Sequence, residues 1–108
     1  MIDLKHEEVW IILVNNSSHI IGEYQMFKGG RTSSVVDISM IMRKAIENSV
    51  TGLFLIHNHP SANEKPSFAD DKTTNSIKSA CEIMQIRILD HIIIADNLFY
   101  SYADNGKL

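Results

Sequence analysis

Hydrophobic and polar residues follow one another along the chain in blocks that predict a β-hairpin near the N-terminus. The unbroken apolar run from Val9 to Val14 is rich in β-branched and aromatic residues, which is typical of a strand covered on both faces. The polar residues at 15–18 favour a turn. The segment from His19 to about Phe27 then mixes apolar and polar positions until Gly29 and Gly30 interrupt it, which predicts a second strand.

Two helices are predicted further along the chain. The segment from Ser34 to Asp37 has the spacing of a capping box, in which a side-chain oxygen accepts from a backbone N–H at the start of a helix. Apolar residues follow it with the helical period, at Ile38, Ile41, Met42, Ala45 and Ile46. A second helix is predicted from about Ser67 to Gln85. Its apolar stripe consists of Ile77, Ala80, Cys81 and Met84.

Three more apolar segments predict strands and complete the order ββαβαββ. They are Gly52 to Ile56, Arg87 to Ala95 and Leu98 to Ala103, and a short turn at 96–97 separates the last two. We therefore expect an α/β fold with a mixed β-sheet flanked by two helices. A chain of 108 residues with 44% hydrophobic residues fits one domain over residues 1–108.

The net charge and the cysteine content indicate which cellular compartment and which classes of partner to expect. The formal net charge is −3, and the basic residues are scattered, which disfavours electrostatic capture of nucleic acid. The single cysteine, Cys81, fits a reducing compartment and is interpreted as a small core residue. Charged residues between Asp3 and Glu8 interrupt any apolar leader. We expect a cytoplasmic protein that has no membrane partner.

Two histidines and one aspartate carry the candidate chemistry. His57 and His59 lie one residue apart at the end of a predicted strand, so their rings project to the same side. Asp70 lies in the first turn of the helix predicted at Ser67 and can face the same point. Alternatively, the histidines cap and pack, and Ser67 to Asp70 is an ordinary capping box. Together, two nitrogens and one carboxylate leave Zn²⁺ an open position for water, as in catalytic sites.

Hydrolysis also needs a base and an oxyanion donor beside the metal. Glu23 is the candidate general base, because it lies in the middle of a strand among residues expected to be partly buried. The alternative is that Glu23 lies on the exposed face of an edge strand. Ser67 can both cap the helix and donate a hydrogen bond to the oxyanion. His91, within an apolar strand, is interpreted as a hydrogen-bonded core histidine rather than a further ligand.

The spacing of these residues resembles a known motif. His57-Asn58-His59, seven residues, and then Ser67 to Asp70 resemble the JAMM motif of MPN-domain metalloproteases, HxH followed by SxxD. The longer segments 57–70 and 89–108 resemble the RadC family of bacterial JAMM-like proteins. The resemblance implies an MPN or cytidine deaminase-like fold. It also implies zinc held by the two histidines and the aspartate, with the serine at the oxyanion and an upstream glutamate, here Glu23, activating the water.

The predicted activity is therefore zinc-dependent hydrolysis of an amide or isopeptide bond in a peptide or protein substrate. A nuclease or phosphodiesterase acting in DNA repair is a second interpretation, which depends on the family association alone. A third is an MPN-like binding module whose metal is structural. RadC-like proteins usually carry an N-terminal helix-hairpin-helix region, and we expect this chain to be a RadC-like domain without it. Exposed edge strands would allow a weak homodimer, and otherwise we expect a monomer.

Overall fold

The computed structural model describes residues 6–17, 19–29, 37–60 and 63–108, and it confirms the order ββαβαββ and the α/β class. The elements are β1 (Glu7–Val14), β2 (Ile20–Gly29), α1 (Ile38–Glu47), β3 (Gly52–Asn58), α2 (Phe68–Ile83), β4 (Arg87–Ala95) and β5 (Leu98–Ser101).

The five strands form one mixed sheet in the order β2-β1-β3-β4-β5. Strand β1 is antiparallel to both β2 and β3, and β5 is antiparallel to β4. Strands β3 and β4 are parallel, because the chain crosses between them through α2. This crossover brings the end of β3 close to the beginning of α2, where the predicted metal ligands lie.

A hydrophobic core forms between the sheet and the two helices. Its buried members include Val9, Ile11, Leu13, Ile41, Met42, Ala45, Leu53, Leu55, Ile77 and Cys81. Cys81 is 1% exposed, and burial raises the pKa of its thiol to about 11, which confirms its interpretation as a core residue. Neither described helix is both long enough and apolar enough to span a membrane.

The structure moves several predicted boundaries. The residue that caps α1 is Asp37, whose carboxylate accepts from the Met40 N–H at 3.2 Å, and the predicted cap at Ser34 lies outside the described residues. Strand β3 continues through Asn58, so His57 lies within the strand. Helix α2 ends at Ile83, one residue before Met84, which is the last residue of its predicted apolar stripe. Met84 is the C-cap and is 43% exposed, because the chain turns there toward β4.

Candidate metal centre

The end of β3 places His57 and His59 on one side of the chain and Asn58 on the other. Asn58 is fully buried, and its side chain ties the start of β1 to the end of β3. Its Oδ1 accepts from the Glu8 N–H at 2.6 Å, and its Nδ2 donates to the His6 carbonyl at 2.7 Å. The His59 N–H donates to the carbonyl of Ile94 in β4 at 2.8 Å. Backbone and amide contacts thus fix the two histidines relative to the sheet.

Asp70 has two roles that the sequence presented as alternatives. It completes a capping box, because its N–H donates to Ser67 Oγ at 3.1 Å while its Oδ2 accepts from the Ser67 N–H at 2.8 Å. The same carboxylate also faces both histidines. Its Oδ1 lies 3.1 Å from His57 Nε2, and its Oδ2 lies 3.0 Å from His59 Nε2. The cap therefore holds the carboxylate in place beside the two imidazoles.

The distances between the three side chains fit one metal ion. His57 Nε2 lies 3.1 Å from His59 Nε2, so the three ligand-to-ligand distances are nearly equal. Donor atoms at about 2.0–2.1 Å from one tetrahedral ion stand about 3.3 Å apart, within a few tenths of an ångström of these values. Imidazole nitrogens and carboxylate oxygens are also atoms that zinc commonly binds. His57, His59 and Asp70 could therefore hold a metal.

The electrostatic environment of the three candidate ligands favours the binding of a cation. Burial alone would raise the pKa of the Asp70 carboxyl, but hydrogen bonds from His57, His59 and the Ser67 N–H outweigh burial and hold that pKa well below its usual range. The hydrogen bond to Asp70 raises the pKa of His59 against the effect of burial, and the negative charge of Glu7 acts in the same direction. An ionised carboxylate and nearby negative charge thus attract a positive ion to this point.

A small cavity of about 20 Å³, with space for one water molecule, adjoins two of the three candidate ligands, His57 and Asp70. Its lining consists of Glu7, Val9, Leu55, His57, Ala69, Asp70, Thr73 and His91. Glu7 is the one glutamate in this wall, and it is 9% exposed. Val9 pairs with His57, and Glu7, two residues before Val9, lies on the same face of the sheet as that histidine. Glu7 is therefore a carboxylate beside the candidate ligands.

The structure does not bring Glu23 to this site, which corrects the candidate base predicted from the sequence. Glu23 is exposed on the edge strand β2 and pairs with Ile12 of β1. Side chains alternate along a strand, so Ile12 and Glu23 lie on the face opposite to Ile11, which belongs to the core. His57 projects from the core face. Glu23 therefore matches the alternative considered for it, an exposed residue of an edge strand.

The sequence does contain a pattern that assigns Glu7 to the inward face of β1. In the series Glu7, Val9, Ile11 and Leu13, every second residue is buried, so the glutamate continues the inward face of β1. A charged residue at the start of a strand is usually solvated, but Glu7 is buried because the start of β1 lies beside the end of β3.

His91 is buried and hydrogen-bonded, as predicted, but its partner is one of the candidate ligands. Its Nε2 lies 2.7 Å from His57 Nδ1, and its Nδ1 is hydrogen-bonded to Thr74 Oγ1. The ring stacks on Tyr102, with centroids 4.5 Å apart and planes inclined by 4°. Burial lowers the pKa of His91 to about 3, so the imidazole is neutral. His91, Thr74 and Tyr102 form a layer behind the ligands that the sequence did not reveal.

Comparison with known proteins agrees with this architecture. Residues 1–107 match the family model described as RadC-like JAB domain. The chain is 44% identical over 104 residues to a UPF0758 protein of Flavobacterium johnsoniae, and 36% identical over 107 residues to one of Porphyromonas gingivalis. These alignments cover 96% and 98% of the chain but 45% and 47% of the relatives, so the chain spans about half their length. The mixed sheet with two helices is consistent with the JAB/MPN fold, and the chain belongs to the RadC family as a RadC-like JAB domain.

Proposed function

We propose that this domain is a zinc-dependent hydrolase that cleaves an amide or isopeptide bond in a peptide or protein. One observation carries the proposal. His57, His59 and Asp70 converge on one point, and His57, Asp70 and a buried carboxylate, Glu7, border a cavity with space for one water molecule. Membership of a JAB domain family supports the same reaction class.

Each ligand has a defined part in holding the metal. His57 and His59 would bind through Nε2, and Asp70 would bind through its carboxylate. Three protein ligands leave a fourth position for water or substrate, which is the arrangement of catalytic rather than structural zinc. When bound, Zn²⁺ supplies a Lewis acid that polarises the substrate carbonyl and makes water a stronger acid.

Glu7 and Ser67 supply the proton transfer and the oxyanion contact. In this proposal the Glu7 carboxylate, which lines the cavity, accepts a proton from the attacking water and returns it to the leaving nitrogen. The Ser67 oxygen accepts from the Asp70 N–H, which leaves the hydroxyl hydrogen able to donate to the oxyanion. In this scheme Ser67 caps α2 and contacts the reacting group at the same time.

The proposal is tested by comparing two glutamates. Zinc-loaded protein is incubated with peptide and isopeptide libraries, and products are measured by mass spectrometry. Glu7→Gln is expected to lower the rate by about 10²–10⁴ with zinc affinity retained, because the amide cannot accept the proton. Glu23→Gln is the matched control and is expected to retain the wild-type rate, since Glu23 lies on the other face. Full activity in Glu7→Gln would refute the assignment.

The same preparations separate the two alternatives. Branched and single-stranded DNA are added at low salt in a parallel assay, and cleavage of DNA without cleavage of peptides would change the substrate class. A binding module would behave differently again. Its melting temperature would fall on chelation of zinc, but Glu7→Gln would change nothing measurable and no substrate would be cleaved.

A further inference from the structure

A chain of hydrogen bonds runs behind the metal position and connects two of its ligands. His57 Nδ1 lies 2.7 Å from His91 Nε2, and His91 Nδ1 is bonded to Thr74 Oγ1. Thr74 Oγ1 in turn lies 2.9 Å from the backbone carbonyl of Asp70. Because His57 Nε2 lies 3.1 Å from Asp70 Oδ1, these four residues form a closed ring. The ring contains one histidine ligand and the aspartate ligand.

The direction of each hydrogen bond in this chain can be worked out from its last acceptor, the backbone carbonyl of Asp70. A carbonyl oxygen only accepts, so the Thr74 hydroxyl hydrogen points to the Asp70 carbonyl. Thr74 Oγ1 then accepts from His91 Nδ1–H. A neutral imidazole has one N–H, so His91 Nε2 is an acceptor, and the hydrogen between the two rings belongs to His57 Nδ1. When a metal binds the neutral ring in place of the Nε2 proton, the lone pair of His57 is therefore on Nε2, which faces the other two ligands.

We propose that His91 is a positioning residue that, oriented by Thr74, sets the tautomer and the ring orientation of His57 for metal binding. The inference rests on the metal centre of the proposed function. A histidine that binds a metal through one nitrogen is commonly held by a hydrogen bond from the other, and His91 supplies that acceptor here. The JAMM spacing does not include His91, which lies in β4, outside residues 57–70.

Tyr102 keeps the His91 ring in the orientation that this requires. The two rings are parallel within 4°, and Tyr102 OH donates to Asp71 Oδ1 at 2.7 Å. The Tyr102 N–H also donates to the His91 carbonyl at 3.0 Å. Asp71 directly follows the ligand Asp70 in α2, so the stacking partner of His91 is attached to the same helical turn as the metal ligand. Ring rotation of His91 would break contacts at both of its nitrogens.

The matched substitutions are Thr74→Val and Thr74→Ser. Valine has nearly the shape of threonine but has no hydroxyl, so it leaves His91 Nδ1 without its acceptor and the tautomer of His57 undetermined. Zinc affinity, measured by competition with a chelator, is expected to fall about 10–100-fold in Thr74→Val. In Thr74→Ser, which keeps the hydroxyl, it is expected to stay within about threefold of wild type.

A spectroscopic measurement separates positioning from general stabilisation. Long-range proton–nitrogen spectra of ¹⁵N-labelled, zinc-loaded protein are expected to show His57 with hydrogen on Nδ1 in wild type and in Thr74→Ser. Thr74→Val is expected to show a mixture of tautomers when zinc is subsaturating. His91→Phe, which keeps the ring that stacks on Tyr102 but removes the acceptor, is expected to lose affinity in the same way. Circular dichroism verifies the fold of each variant.

The outcomes separate this inference from the proposed function. Wild-type zinc affinity in Thr74→Val and His91→Phe, with only a lower melting temperature, would show a structural role and overturn the inference. Hydrogen on His57 Nε2 in the wild-type protein would also overturn it. If wild-type protein binds zinc, shows the expected tautomer and hydrolyses no substrate, the inference stands and the proposed function fails.

Discussion

Strand β3 joins two regions of different chemistry on the same face of the sheet. Near its start, Leu53 and Leu55 are 0% and 1% exposed and belong to the apolar core. Near its end, His57 is 4% exposed and makes polar contacts. Apolar burial is nondirectional and proportional to area, whereas a buried polar group needs a partner in the correct direction. The first region therefore contributes stability, and the second contributes geometry.

The buried polar side chains near the end of β3 have hydrogen-bond partners, just as the apolar side chains near its start have packing partners. Among the residues that the structure describes, no buried side-chain nitrogen or oxygen lacks a hydrogen-bond partner. Replacing all the members of a buried polar or ionic cluster by well-packed apolar residues is often neutral or stabilising, so stability alone does not explain a cluster containing His57, Asp70 and His91. A requirement for fixed ligand directions does explain it. The two ends of β3 should therefore respond differently to substitution.

The largest expected effect is in the apolar region. Leu53→Ala removes most of a side chain that is 0% exposed and leaves a cavity, so the free energy of unfolding is expected to fall by about 2–5 kcal/mol. Zinc affinity of the folded variant should remain at the wild-type value, because Leu53 contacts the core rather than the ligands. Urea denaturation of the metal-free protein and zinc titration measure the two quantities.

Ile20→Ala serves as the control for this experiment. Ile20 lies at the start of the edge strand β2 and is 63% exposed, so its loss should change the free energy of unfolding by no more than about 0.5 kcal/mol. A loss of zinc affinity in folded Leu53→Ala comparable to that expected for Thr74→Val would contradict the division between the two regions.

The sequence predicted the parts of the site that are close together along the chain. His57 and His59 share one strand end, and Asp70 lies in the first turn of the next helix, so local periodicity is sufficient to place them together. The order of elements was accessible for the same reason, since each strand and helix has its own hydrophobic period.

The remaining parts depend on contacts that local patterns do not encode. Glu7 reaches the site because Val9 pairs with His57, two residues that are distant in sequence. Glu23 lies away from the candidate site and Glu7 lies in its wall, because β1 rather than β2 is the neighbour of β3, and the residues alone do not specify this. His91 likewise reaches His57 only because β3 and β4 are parallel neighbours. Register between strands, rather than the pattern within one strand, completes the site.

A smaller effect is expected when pH changes in the polar region. The pKa of His59 is raised in the metal-free protein, so protonated His59 stabilises that state below its unfolded pKa and loses this contribution as pH rises through the folded pKa. Zinc requires the neutral ring and displaces the proton. The increase in melting temperature caused by zinc is therefore expected to be larger at pH 8 than at pH 6. Below the folded pKa, affinity should fall about tenfold per pH unit for each proton displaced.

Thermal unfolding with and without zinc at both pH values measures this effect. Asp70 does not contribute to the difference, because its pKa is held below the usual range and the carboxylate stays ionised from pH 6 to pH 8. Chelator-treated protein at each pH provides the reference. Equal zinc-induced shifts at pH 6 and pH 8 would contradict displacement of a proton from His59.

The smallest expected effect compares the caps of the two helices. Ser67 and Asp37 each accept a backbone N–H at the start of a helix, from Asp70 at 3.1 Å and from Met40 at 3.2 Å. Ser67→Ala is expected to lower the free energy of unfolding by about 0.5–2 kcal/mol. It should also weaken zinc binding severalfold, because the residue bonded to the Ser67 side chain is Asp70, one of the three candidate ligands.

Asp37→Ala is the matched change at the other helix, and it should lower the melting temperature without changing zinc affinity. The reason is position, since Asp37 bonds to Ser39 and Met40, whereas Ser67 bonds to a residue that faces both histidines. Zinc titrations of both variants, normalised to the folded fraction, isolate this difference. Equal affinities in the two variants would mean that the cap stabilises α2 without orienting the carboxylate of Asp70, and that the strand end alone determines the metal geometry.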